Sequence, residues 1–358
     1  MKSKNPILQA IALTAALGTV STSAFGATFE QWISTTESKP WQKMTPRAPR
    51  NGDDETLTLG KAVGPVWKGF GACFNDLGWI ALEKLDKKDR DEVIRLLFSK
   101  DGCHFTMNRI PIGANDFSKE WYSLDETDGD HALKDFSMKH PDQYLMPFIK
   151  AAWKHVPADE MRFMASPWSP PTWMKTNRRY DGGYINMDPA ILRTYAKYLR
   201  RAVQEFQKRG VNVVQLNPQN EFFSSNNYPT CLWKGDDAVT FVRDYLGPEM
   251  EKAGNPAEIY FGTMNGAGMR EGWDLHKGFN HYANNVMMDR KARKYVKGFA
   301  YQWEGKDAVA RTKQAYPEMP IVQSENECGN GQNTYDYAMY VFELLRHYIT
   351  SGVESYVY

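Results

Sequence analysis

A (β/α)8 barrel is the fold this chain predicts, and three observations point to it. Short apolar, β-branched runs recur between residues 66 and 358, and stretches with helical spacing separate them. Counting along the chain gives eight such runs, at intervals of roughly 25 to 50 residues, as a barrel of parallel strands requires. The competing open sheet would carry a Gly-rich phosphate turn after its first strand. Here Gly69-Phe70-Gly71 lacks the third glycine at the required offset.

The elements follow in order. Residues 27–62 are polar and mixed, and Glu55-Thr56-Leu57-Thr58-Leu59 alternates with period two. That pattern predicts a half-exposed antiparallel strand of a side β-sandwich. The barrel, expected over 63–358, opens with a Gly-containing strand over 66–72. Asn75 and Asp76 then cap a helix running to about Phe98. The second strand covers 105–111, and a helix follows over 144–153. A third strand, Arg162-Phe163-Met164-Ala165-Ser166, precedes a helix over 188–208 with Ile191, Leu192, Tyr195 and Leu199 at helical spacing. The fourth strand spans 211–216 and its helix 236–253. The fifth spans 259–262, with a helical region over 273–288. The sixth (296–302), its helix (307–315), the seventh (321–324), its helix (335–350) and an eighth strand (353–358) complete the set.

Composition narrows the function. The chain has 44 basic and 43 acidic residues, so a nucleic acid or an anionic membrane, each needing a basic face, is excluded as partner. Aromatic residues make up 13% of the chain, including 11 Trp, which suits stacking against sugar rings. Lys2 and Lys4, the apolar run over 7–20 and the small residues Ala24 and Gly26 read as a signal peptide over 1–26. A secreted or periplasmic, soluble monomer without membrane insertion is expected. Cys73, Cys103, Cys231 and Cys328 include no Cys-x-x-Cys pair, and the seven His show no ligand spacing. No metal and no cofactor are expected, and three disulfide pairings stay open.

Two strand ends carry the chemistry. The run Val213-Val214-Gln215-Leu216 breaks at Asn217-Pro218 and delivers Gln219, Asn220 and Glu221; Ile321-Val322-Gln323-Ser324 delivers Glu325. Asn220 could merely cap a helix, with Glu221 favouring its dipole. Paired with Glu325, however, Glu221 completes the two carboxylates of a glycoside hydrolase. Glu327, two residues on, shares a face with Glu325 on an extended segment.

Several stretches carry a resemblance: Lys68-Gly69-Phe70-Gly71-Ala72, Arg109-Ile110-Pro111-Ile112-Gly113, Asp116-Phe117-Ser118, the run from Ala165 to Lys175, Gln219-Asn220-Glu221 and Ser324-Glu325. From about residue 63 to its end the chain resembles glycoside hydrolase family 30, which includes glucosylceramidases and microbial endo-β-1,6-glucanases. The resemblance implies a barrel fused to a β-sandwich and a retaining mechanism. It makes Glu221 the acid/base and Glu325, directly after Ser, the nucleophile. Asn220 resembles the amide that bonds the sugar 2-hydroxyl, and Asp116 the carboxylate that binds outer hydroxyls, its alternative being a loop cap. Trp168 resembles a sugar-facing tryptophan. Trp303 is a substrate-binding candidate that could equally pack in the core, as could Trp173. Arg109 could hold Glu325 ionised or form a structural ion pair.

Gln302-Trp303-Glu304 departs from the His-Trp-Tyr of the glucosylceramidase branch, and Ser324 to Gly331 departs likewise. Both favour an endo-β-1,6-glucanase over a lipid glycosidase or other exo-acting β-glycosidase. A carbohydrate-binding barrel without turnover is the non-enzyme alternative, although it would need neither carboxylate. The chain stops within its eighth predicted strand. The resemblance therefore implies a Trp-bearing loop, an eighth helix and the rest of the sandwich beyond Tyr358. Outward residues of 353–358 are expected to leave apolar surface in water, making the chain alone poorly soluble or inactive.

Overall fold

A computed structural model of the protein describes residues 31–33, 42–44, 60–266, 282–327 and 334–358. The chain divides into two units, residues 1–63 and 64–358. In the first, Gln31–Ile33 pairs antiparallel with Gln42–Met44. The signal peptide, the strand expected at Glu55–Leu59 and Cys328 lie outside the described residues.

The second unit is a barrel. Its strands are β1 (Gly69–Gly71), β2 (Met107–Ile112), β3 (Arg162–Pro167), β4 (Asn212–Leu216), β5 (Glu258–Met264), β6 (Val296–Gln302), β7 (Ile321–Glu325) and β8 (Ser355–Val357). Every pairing is parallel and the order runs β1-β8-β7-β6-β5-β4-β3-β2. Backbone bonds from Thr106 N–H to Phe70 O (2.9 Å) and from Arg109 N–H to Ala72 O (3.1 Å) join β2 back to β1. A side chain at Gly71 would put its Cβ 1.7 Å from Met107 O, so only glycine lets these strands approach.

Alternation sorts the strand residues into two cores. Met107, Met164, Val214, Tyr260, Ala300, Val322 and Val357, one from each of β2 to β8, fill the interior. The opposite faces pack under helices α1 (Asp76–Glu83), α2 (Lys87–Phe98), α3 (Lys139–Ala152), α4 (Pro189–Lys208), α5 (Gly235–Phe241), α6 (Gly247–Lys252), α7 (Tyr282–Met288), α8 (Lys306–Ala315) and α9 (Tyr335–Thr350). In α4, Asp188 accepts from the Ala190 and Ile191 N–H groups and Pro189 starts the helix. Leu192, Tyr195, Leu199, Val203 and Phe206 then form its buried stripe.

Several expectations are corrected. The helix expected over 75–98 is two, because Asp86 caps a second start by accepting from Asp89 N–H. The one expected over 236–253 is interrupted by a π turn at Val242–Leu246. The first strand is shorter, and Val66 is exposed. Of the outward residues of 353–358, Tyr356 is 5% exposed, with Tyr348 of α9 packed edge-on against it at 6.0 Å, whereas Tyr358 is 48% exposed. Exposed apolar side chains lie also on α9, at Phe342 and Ile349.

Candidate active site

The polar residues at the C-terminal strand ends converge on one buried guanidinium. Arg109, in β2, is 1% exposed. Its Nη1 donates to Glu325 Oε2 at 2.5 Å and its Nη2 to Asn220 Oδ1 at 2.6 Å. Weaker bonds reach Thr263 Oγ1 at 3.2 Å and Ser166 Oγ at 3.3 Å, and the Trp168 ring lies 4.3 Å from the guanidinium carbon. A buried cation is tolerated only with an anion and a filled donor set, and Glu325 is that anion.

No helix follows β4 until Gly235, so Asn220 is not an N-cap. The turn is stitched to both neighbouring strands instead. Asn220 N–H donates to Pro167 O (2.7 Å) and Glu221 N–H to Thr263 O (3.0 Å). Glu221 sits at φ +53°, in the left-handed region that a non-glycine residue enters at a cost, held there by these bonds.

The two carboxyls differ in surroundings. Glu325 keeps 30% side-chain exposure and opens on a cavity of about 300 Å3. Burial raises its pKa, Arg109 pulls it back, and Asp116 adds a smaller upward push, with the net direction upward. Glu221 is also raised, first by burial and then by the charge of Glu325, against hydrogen bonds from Ser224 and Tyr228. The Tyr228 hydroxyl donates to Glu221 Oε2 at 3.1 Å. Two interacting carboxyls of this kind settle on a single charge. That charge belongs on Glu325, which has a cationic donor, while Glu221 has neutral ones.

A profile of the glycosyl hydrolase family 30 TIM-barrel domain matches residues 67–354. The chain belongs to glycosyl hydrolase family 30. It is 28% identical over 270 residues to putative glucosylceramidase 4 of Caenorhabditis elegans, covering 72% of this chain and 50% of that protein. It is 29% identical over 199 residues to the endo-1,6-beta-D-glucanase of Neurospora crassa, covering 54% and 41%. Among solved structures, the endo-beta1,6-glucanase BT3312 is similar at 25% identity with a TM-score of 0.71, covering 82% of this chain and 66% of that one. The chain spans about half the length of the curated relatives it matches.

In this family 30 barrel, Asp116, Trp168, Arg109 and Glu325 line the cavity together with Phe117 and Ser324. Desolvation raises the Asp116 pKa. Glu221, Asn220 and Trp303 are not in that cavity wall. Asn220 lies behind Arg109, whereas Trp303 packs against the outer core with the Lys306 ammonium 5.9 Å from its ring. Glu327 turns to α9, where its carboxylate meets the Tyr340 hydroxyl and its carbonyl accepts from Tyr337 Oη at 2.7 Å. Cys103 is an exposed free thiol, and burial pushes the Cys231 thiol up to about 12. Among the described residues no group of three or more His, Cys, Asp or Glu could hold a metal ion, and no helix is long and apolar enough to cross a membrane.

The sequence reading gave no site role to Thr263 or to Gln302, which lie at the ends of β5 and β6 in the same cluster. The signal existed. Each is a polar residue at the end of an apolar strand, as Glu325 is at the end of β7.

Proposed function

We propose that the chain is the barrel of an exported, retaining β-glycosidase that hydrolyses β-linked glucan by double displacement, with β-1,6-glucan as the leading substrate. The observation that carries the reading is the asymmetric carboxyl pair, with Glu325 on Arg109 and Glu221 raised by burial and by Glu325. In the first step a Glu325 oxygen bonds to the anomeric carbon. The glycosidic bond breaks and its electron pair, with the proton of Glu221, leaves on the departing oxygen. In the second step ionised Glu221 takes a proton from water as the water oxygen attacks the same carbon. Glu325 leaves as a carboxylate, and two inversions return the original configuration.

Family membership supports glycoside hydrolysis. The Neurospora crassa relative and the BT3312 structure support β-1,6-glucan. A glucosylceramide-type substrate is the second reading, favoured by the broader match to the Caenorhabditis elegans relative. The full-length protein, assayed on β-1,6-glucan, aryl β-glucosides and micellar glucosylceramide, separates the readings. Oligosaccharides released from β-1,6-glucan with the β-anomer formed first are expected. Release of the α-anomer, or hydrolysis of none of the three, sinks the proposal.

A further inference from the structure

We propose that Gln302, at the end of β6, is the positioning residue that commits one oxygen of Glu325 and leaves the other to attack. This rests on the reading of Glu325 as nucleophile. The Gln302 Nε2 lies within donor distance of Glu325 Oε2 (3.1 Å), Asn220 Oδ1 (2.8 Å) and Thr263 Oγ1 (2.9 Å), its two hydrogens shared among the three. Arg109 donates to the same Glu325 Oε2 and the same Asn220 Oδ1. Two donors on Oε2 fix the carboxylate plane, and Oε1 is the oxygen left to bond the anomeric carbon. Arg109 Nη2, Gln302 Nε2 and the Thr263 hydroxyl (3.0 Å) all face Asn220 Oδ1, so the amide oxygen is turned into the cluster.

The orientation of Gln302 is decided by its neighbours. Reversing the amide would bring its carbonyl against Glu325 Oε2 and Asn220 Oδ1, neither of which can donate. As placed, Gln302 Oε1 is buried with no partner among the described residues. A fully buried residue that leaves its acceptor unpaired is kept for its donor half. The backbone holds it in place: the Tyr348 hydroxyl of α9 donates to Gln302 O, so the packing of α9 reaches the nucleophile. Arg109 on β2, Asp116 beyond β2 and Glu221 beyond β4 are the charged or titratable groups that act on Glu325. Gln302 adds a donor that no change of pH removes.

The test compares the full-length protein with Gln302→Met and Gln302→Glu on an aryl β-glucoside with a good leaving group, across pH. Loss of a donor to an ionised carboxylate raises its pKa. In Gln302→Met the acid limb of kcat/KM is therefore expected to move up by about one pH unit. The plateau is expected to fall about 10- to 100-fold, with the alkaline limb unmoved. Gln302→Glu keeps the shape but sets an acceptor against Oε2, so its acid limb moves further. A folded variant of either kind with the wild-type acid limb overturns the proposal, because a purely structural role lowers the plateau without moving that limb. Glu325→Ala is run beside them. If it retains turnover the nucleophile assignment fails; if it is inactive while the Gln302 variants behave as wild type, only Gln302 is misassigned.

Discussion

The ends of β4 and β7 present the same side chain in unlike surroundings. Glu325 extends a strand that lies beside β6, and Arg109 and Gln302 both donate to one of its oxygens. Glu221 sits on a left-handed turn, raised by burial and touched by the hydroxyl of Tyr228. A full positive charge offsets desolvation better than a phenol does, and the proposed function accordingly puts the charge at β7 and the proton at β4. Two glutamates at two strand ends are thus made unlike by their neighbours alone.

The largest expected effect comes from deleting the charged member. Glu325→Ala in the full-length protein should lower turnover at least about 10^4-fold, with azide restoring product as a glycosyl azide of inverted configuration. Glu327→Ala, whose carboxylate faces Tyr340, should change turnover by less than about tenfold. The reverse pattern in these two rates would place the nucleophile at Glu327.

Glu221→Gln removes the proposed proton donor and leaves the clamp around Arg109 intact. Hydrolysis of glucan should fall about 10^2- to 10^4-fold, and a dinitrophenyl glucoside, whose leaving group needs no proton, should suffer far less in its first step. The variant's first step should also lose the alkaline limb. In the parent that limb reports loss of the Glu221 proton, and because the pKa is raised it lies above the ordinary glutamate range. An unchanged limb in Glu221→Gln would assign it to another group.

The smallest effect tests the weaker neighbour. The Tyr228 bond favours the ionised form of Glu221, so Tyr228→Phe should raise that pKa further and move the alkaline limb upward. The shift should be under about one pH unit, and kcat should change by a few fold. A downward shift would mean that burial and Tyr228 have been given the wrong signs.

Much of this was legible in the chain. Strands covered on both sides must be apolar throughout, which writes β3, β4 and β7 into the sequence as runs such as Ile321-Val322, and breaks in those runs mark where Asn220 and Glu325 emerge. Helix α4 was readable from Asp188, Pro189 and its spacing, because caps and periodicity act over a few residues. The split at Asp86 is likewise a local cap, accepting from Asp89 N–H, whereas the π turn at Val242–Leu246 carries no cap of that kind. The cluster around Arg109 was decided by tertiary structure alone. Ser166, Asn220, Thr263, Gln302 and Glu325 come from five strand ends, and only barrel closure aims them at one point. Sequence pattern records which residues leave the sheet. Which of them meet, and which oxygen each hydrogen bond takes, is fixed by distances that no local pattern encodes, as the outward turn of Trp303 and the inward turn of its neighbour Gln302 show.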